Sequence, residues 1–188
     1  MTKYLILVKH SAPKIEEDRP ANTWRLSAEG RLRAQRLAEQ LEGFDPEVII
    51  SSSEPKAKET ADILASHFQL DLQIGENLHE HDRSNMPYLS HDAFQIFIRD
   101  FFQKPDELIF GSETANQAYT RFYRAIHSIL GGYRDKTIVI VTHGTVISLF
   151  VSRLTGSSDL DLWNTLGLPS FIALDLQSST LIIRSTII

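Results

Sequence analysis

Two apolar runs, each ending in a histidine, constrain this chain more than any other feature. Leu5-Ile6-Leu7-Val8 runs into Lys9-His10-Ser11, and Ile138-Val139-Ile140-Val141 runs into Thr142-His143-Gly144. Short, wholly apolar runs of this kind read as strands buried on both faces. Burying a strand does not require a cation, an imidazole and a hydroxyl at its end. In an open α/β sheet, ligands sit outside the carboxyl ends of strands. Two such strands side by side would bring two imidazoles together.

The rest of the chain alternates helices and strands. Residues 11–25 are polar, carry Pro13 and Pro20, and read as a loop long enough to fold over a site. Ser27 is the expected N-cap of a helix whose Ala34, Leu37, Ala38 and Leu41 recur at helical spacing, with Gly43 ending it. Val48-Ile49-Ile50 is a short strand. Ser51-Ser52-Ser53-Glu54-Pro55 then predicts a serine-capped helix with Ala57, Ala61, Leu64 and Phe68 inward. Lys56 falls in the first turn of that helix, where the dipole favours anions, so it either makes no specific contact or faces a bound anion.

Leu70 to Ile74 is a further strand candidate. Phe94, Phe97, Ile98 and Phe101 predict a helix that Pro105 interrupts. Thr114 with Gln117 predicts a capping box opening a long helix that ends at Gly131-Gly132. Gly144-Thr145 opens another helix whose first N–H groups suit an anion. Asp159 to Leu166 is a short helix candidate. Phe171 to Leu176 and Leu181 to Ile188 predict a hairpin at one sheet edge around a Gln-Ser-Ser turn. The expected fold is a three-layer α/β/α sandwich with a mostly parallel sheet. The whole of 1–188 reads as one domain, with 80–113 as a possible cap over the site.

Composition narrows the function classes. A net charge of -5 gives no global attraction to nucleic acid or anionic membrane. No apolar run reaches membrane-spanning length, and no signal-peptide pattern opens the chain, so a cytoplasmic location is expected. The absence of cysteine excludes thiolate nucleophiles and sulfur-ligated metal sites.

His10, Lys9, Lys56, His143 and Glu80 form a coherent set if all sit on one sheet edge. A neutral imidazole can attack phosphorus and hold the phosphoryl group. Neighbouring cations keep it neutral and stabilise the equatorial oxygens. A carboxylic acid protonates the departing alkoxide; Glu80 is the candidate, with Asp82 behind it. His67, His79, His81, His91 and His127 read as structural or surface residues.

In this order the motifs resemble those of the histidine phosphatase superfamily, the phosphoglycerate mutase-like proteins. The resemblance rests on Lys9-His10-Ser11, Leu26-Ser27-Ala28-Glu29-Gly30, Ser51-Ser52 through Lys56-Ala57 to Thr60-Ala61, Leu78-His79-Glu80, Gly111-Ser112-Glu113-Thr114 and Val141-Thr142-His143-Gly144. It implies phosphorylation of His10, phosphoryl binding by His143, proton donation by Glu80, and substrate contacts from Lys9, Ser11, Lys56 and Gly144. No metal and no cofactor are implied. The expected partner is a small phosphorylated substrate or a phosphoprotein, with no nucleic acid and no membrane; the oligomeric state stays open. Two departures stand out. Lysines 9 and 56 occupy the places of phosphate-clamping arginines, and Glu16 replaces an asparagine six positions after the nucleophile. These favour a phosphatase over a mutase-type phosphotransferase. A catalytically degenerate phosphate-binding module and a metal-dependent hydrolase using His10, His79, His81 and His143 remain as alternatives.

Overall fold

The computed structural model describes residues 3–176 and 181–184. Six strands form one sheet: β1 (Tyr4–Lys9), β2 (Val48–Ser51), β3 (Leu72–Ile74), β4 (Ile138–Thr142), β5 (Ser170–Asp175) and β6 (Leu181–Arg184), in the order β3-β2-β4-β1-β5-β6. The first four are parallel; β5 runs antiparallel to both β1 and β6. The mostly parallel three-layer sandwich is therefore as expected, with the antiparallel pair at one edge. The Gln-Ser-Ser turn and residues 185–188 of the expected hairpin lie outside the described residues.

Alternation along β1 explains the layers. Ile6 and Val8 face α1 (Ala28–Leu41) and α2 (Pro55–Phe68), packing with Leu37, Leu41, Ala61 and Leu64. Leu5 and Leu7 face the other side, where Phe122 and Ile126 of α4 (Ala115–Gly132) and Val146 and Phe150 of α5 (Gly144–Thr155) cover them. Each run is apolar throughout because both faces are buried. A third cluster joins α3 (His91–Gln103) to the start of α4 through Ile98, Phe101, Phe110 and Ala118. Trp163 of the short α6 (Asp159–Thr165) packs against it.

Local rules set most of the boundaries. Ser27 caps α1 by accepting from the Gly30 N–H, and the Thr114/Gln117 capping box opens α4. The start of α2 differs from expectation. Its N-cap is Glu54, which makes no side-chain cap bond, because that carboxylate is engaged in the site described below. The β3 strand is shorter than expected; Leu70 precedes it and packs beneath α2. The loop after β1 is tied at its stem, with Lys14 N–H donating to Arg25 O at 2.8 Å and Ser27 N–H to Ala12 O at 3.0 Å. Gly30 permits that closure: a Cβ there would lie 2.0 Å from Ala12 O, which no side chain tolerates.

Candidate active site

Register brings the two histidines together. β1 and β4 are adjacent and parallel, and Lys9 pairs with Thr142, so His10 and His143 emerge at the same level on neighbouring strands. The helix connecting β1 to β2 covers one face of the sheet, and α4 and α5 cover the other. The pair therefore sits at a switch point of the sheet, where ligand crevices form. The rings lie edge to face with centroids 5.2 Å apart.

The His10 ring is oriented by backbone. Its Nδ1 is 2.8 Å from Ser11 O. A carbonyl only accepts, so Nδ1 carries the proton and Nε2 keeps its lone pair. Burial, then the positive charge of Lys56 and the neighbouring His143, holds the His10 pKa well below its ordinary value. At neutral pH the ring is uncharged, and its Nε2 lone pair has the chemistry to act as a nucleophile. His143 is fully buried and also held neutral, chiefly by burial and Lys56. Its Nε2 lies 2.9 Å from Ser52 Oγ.

Glu80 reaches the start of α5. One carboxylate oxygen accepts from Thr145 N–H at 3.2 Å and the other from His81 N–H at 3.0 Å. The helix start that suited an external anion thus holds this side chain. Burial pushes the Glu80 carboxyl up, but His143, Arg83 and the His81 N–H together pull it below the usual carboxylate range. Asp82 is different: it accepts from Ser84 N–H and Oγ, and those bonds lower its pKa. Arg121 fixes the segment behind Glu80, donating to the carbonyls of Asn77, His79 and Glu80 while paired with Glu113 at 2.6 Å.

The two lysines behave unequally. Lys9 Nζ donates to Leu166 O at 2.7 Å and lies 5.9 Å from the Trp163 ring centre. Gly144 lets it pass, since a Cβ there would stand 3.1 Å from Lys9 Cε. Burial lowers the Lys9 pKa to about 8, against the opposing pull of Glu80. Lys56 is buried and donates to Ala21 O at 2.7 Å and to Glu54 at 2.6 Å. Glu54 also accepts from Glu80 N–H at 2.9 Å and stands 3.4 Å from His143 Nε2. Ser11 is turned away: its hydroxyl donates to Gly30 O and its N–H to Thr60 Oγ1.

Sequence reasoning missed Glu54 and Arg83. An acidic residue between the serines and Pro55 was a usable signal for the first. Arg83 had only its place just past Glu80. Its guanidinium lies over the Phe94 ring at 4.4 Å. Among the described residues, the buried side-chain polar atoms without a protein partner are His81 Nδ1, Arg83 Nη1, His143 Nδ1 and Thr145 Oγ1. All come from two of the segments that build this site, 78–83 and 141–145, and such atoms mark where a ligand or water completes the bonding. His81 itself turns into the aromatic cluster, with ring centres 4.3 Å from Phe101 and 4.5 Å from Phe110. His10, Lys9, Lys56, Glu80, Arg83 and Thr145 line one cavity of about 160 Å³. Among the described residues no group of three or more His, Asp or Glu side chains is placed to hold a metal ion.

The Lys9 value sets a pH dependence with two opposite signs. Above about 8 the native lysine loses its proton, so sulfate, which does not titrate there, should bind more weakly. The fall is about tenfold per pH unit for one linked proton. Over the same window the unfolded chain still holds that proton, so this group's contribution to folding stability rises. Calorimetric titration from pH 7 to 10 should show the fall in wild type and not in Lys9→Arg. A flat wild-type profile would remove Lys9 from the anion site.

A family model described as histidine phosphatase superfamily (branch 1) matches residues 5–185. The chain is 24% identical over 141 residues to an uncharacterized phosphatase, PhoE, of Bacillus subtilis (strain 168), covering 74% of this chain and 69% of that one. Among solved structures it resembles a mycobacterial glucosyl-3-phosphoglycerate phosphatase (TM-score 0.80, 18% identity, 99% of this chain and 100% of that one). It also resembles a phosphoserine phosphatase from Entamoeba histolytica in complex with 3-phosphoglyceric acid (TM-score 0.76, 19% identity, 97% and 96% coverage).

Proposed function

The chain belongs to the histidine phosphatase superfamily, branch 1, and from that premise we propose that it is a phosphomonoesterase working through a phosphohistidine at His10. The observation that carries the reading is the tautomer of His10: Nδ1–H is spent on Ser11 O, which leaves Nε2 as a neutral nucleophile beside His143. Nε2 attacks phosphorus, the bond from phosphorus to the alcohol oxygen breaks, and Glu80 gives that oxygen its proton. Lys9, Lys56 and His143 surround the equatorial oxygens and offset their charge. Water, deprotonated by Glu80, then attacks the phosphohistidine and releases inorganic phosphate. No step uses a metal, a cofactor or nucleic acid. The segment 80–113 serves as a cap, since Arg83 and Phe94 line the cavity. The substrate is a small phosphorylated molecule or a phosphoprotein. The names of the relatives, which are phosphatases, support the phosphomonoester class.

A second reading has one observation in its favour. Glu54 already neutralises Lys56, so the site gives up part of its cationic charge before any phosphate arrives. A module that binds a phosphorylated ligand without turnover would tolerate that. Rapid quenching during turnover of p-nitrophenyl phosphate, with a chelator present, separates the readings. The phosphatase should yield an acid-labile, base-stable phosphoenzyme at an undiminished rate. Absence of both turnover and phosphoenzyme would leave the binding module, and loss of activity to the chelator would restore a metal-dependent hydrolase.

A further inference from the structure

The small cavity at His10 opens into a wider one of about 610 Å³, and the two share Lys9, Pro13, Trp24, Arg83, Phe94 and Trp163. Three separated segments build the wider wall: the loop after β1, the stretch from Arg83 into α3, and α6 with the residues after it. Its chemistry is one-sided. Trp24, Tyr88, Phe94 and Trp163 are aromatic, most of the remaining wall is aliphatic or proline, Gln95 and Asn164 are its uncharged polar residues, and among the described residues no carboxylate lines it. Among the described residues the cations in the wall are Lys9 and Arg83, and both are shared with the small cavity that contains His10. Several of these apolar side chains are kept wet: Ile15 is 57% exposed and Tyr88 36% exposed. Trp24 is held in place by its Nε1–H bond to Glu16 O at 2.9 Å, and its ring lies 6.1 Å from that of Tyr88.

We propose that the alcohol half of the substrate is large and apolar, an aryl or long alkyl group, and that it lies in this wider cavity while its phosphoryl group meets His10. The proposal rests on the reading of the His10 site as a phosphoryl-transfer site and adds the substrate class. The polarity gradient carries it. Cations stand at the inner end, where the phosphoryl oxygens sit, and apolar surface begins immediately beyond them. A sugar or amino-acid phosphate would find polar partners at Gln95 and Asn164 but would place most of its hydroxyls or charges against rings and aliphatic chains, where polar groups lose water without gaining partners. An apolar alcohol loses nothing there and buries its own surface as well as that of the wall.

Alkylphosphonates test this independently of turnover, because their carbon–phosphorus bond survives the enzyme. Across methyl, butyl and hexyl phosphonate, the dissociation constant measured by calorimetry should fall about twofold to fourfold for each methylene that is buried. Trp24→Ser should flatten that series. The matching alkyl phosphates share nearly one leaving-group basicity, so their kcat/KM values should follow the same slope. A steep phosphonate series without turnover of any phosphate ester would keep the apolar pocket and overturn the phosphatase. Turnover of ethyl phosphate with a flat series would do the reverse, overturning this proposal alone. A flat series accompanied by concentration-dependent dimerisation that shields Trp24 from quenchers would also overturn it, by giving the cavity to a second copy of the chain. Failure of every phosphonate to bind would overturn it as well.

Discussion

His10→Ala will lower turnover of p-nitrophenyl phosphate by about 10⁴–10⁶, the loss typical when a covalent nucleophile is removed. The phosphoenzyme trapped from wild type will disappear with it. The fold should survive. His10 lines the small cavity, so truncation enlarges a space that already exists and leaves no sealed void. Its one described side-chain hydrogen bond is to Ser11 O, and a single such bond is worth about 1 kcal/mol net. The buried ring is held neutral, which works against stability whenever the unfolded chain binds a proton. Below about 6.5 the unfolded histidine is protonated and the native one is not, so the wild type loses this contribution as pH falls. His10→Ala removes that penalty. Its melting temperature should therefore match wild type at pH 7 and decline less steeply toward pH 5. Activity within tenfold of wild type would move the nucleophile elsewhere.

What the sequence made legible was what local pattern encodes. Four-residue apolar runs identify β1 and β4 because both faces of each strand are buried, and the histidines follow from the same register. The helices declared themselves by periodicity and by caps such as Ser27 and Thr114. The unreadable part comes from contacts among distant segments. Lys56 meets Ala21 across one loop and Glu54 within its own turn, while Glu54 reaches Glu80 from another segment. No spacing rule predicts that a first-turn lysine will be met by a carboxylate rather than by a ligand. Thr145 N–H was readable as an anion donor, but that its anion is Glu80 was not. Arg83 and the aromatic wall stayed hidden for the same reason, since the loop after β1, the start of α3 and α6 meet only in the folded chain. Glu113 shows the middle case. Its motif was visible, but its work, holding Arg121 against the carbonyls behind Glu80, required the structure.

Glu80→Gln should separate substrates by leaving group. An alkoxide is a poor leaving group and needs a proton in the transition state, whereas p-nitrophenolate departs nearly unaided. Removing a general acid typically costs about 10²–10⁴ in rate, so hexyl phosphate should fall by that factor and p-nitrophenyl phosphate by about tenfold or less. Glu80 lies below the usual carboxylate range in the free protein, so it is ionised at neutral pH. An arriving phosphoryl dianion raises it, because a second negative charge nearby disfavours the carboxylate. In the proposed mechanism the proton that Glu80 donates is thus taken up on substrate binding. A plot of kcat for hexyl phosphate against pH should fall on its alkaline side at the raised Glu80 value, and Glu80→Gln should erase that limb. Glu54 is the nearest rival, since it touches the Glu80 N–H and stands 3.4 Å from His143. It is ion-paired with Lys56 inside the protein, and breaking such a pair from one side costs about 3–5 kcal/mol of stability. Glu54→Gln should therefore lower the melting temperature and depress both substrates alike, with no dependence on leaving group. Equal losses in Glu80→Gln, joined to a leaving-group dependence in Asp82→Asn or Glu54→Gln, would transfer the acid role to that residue.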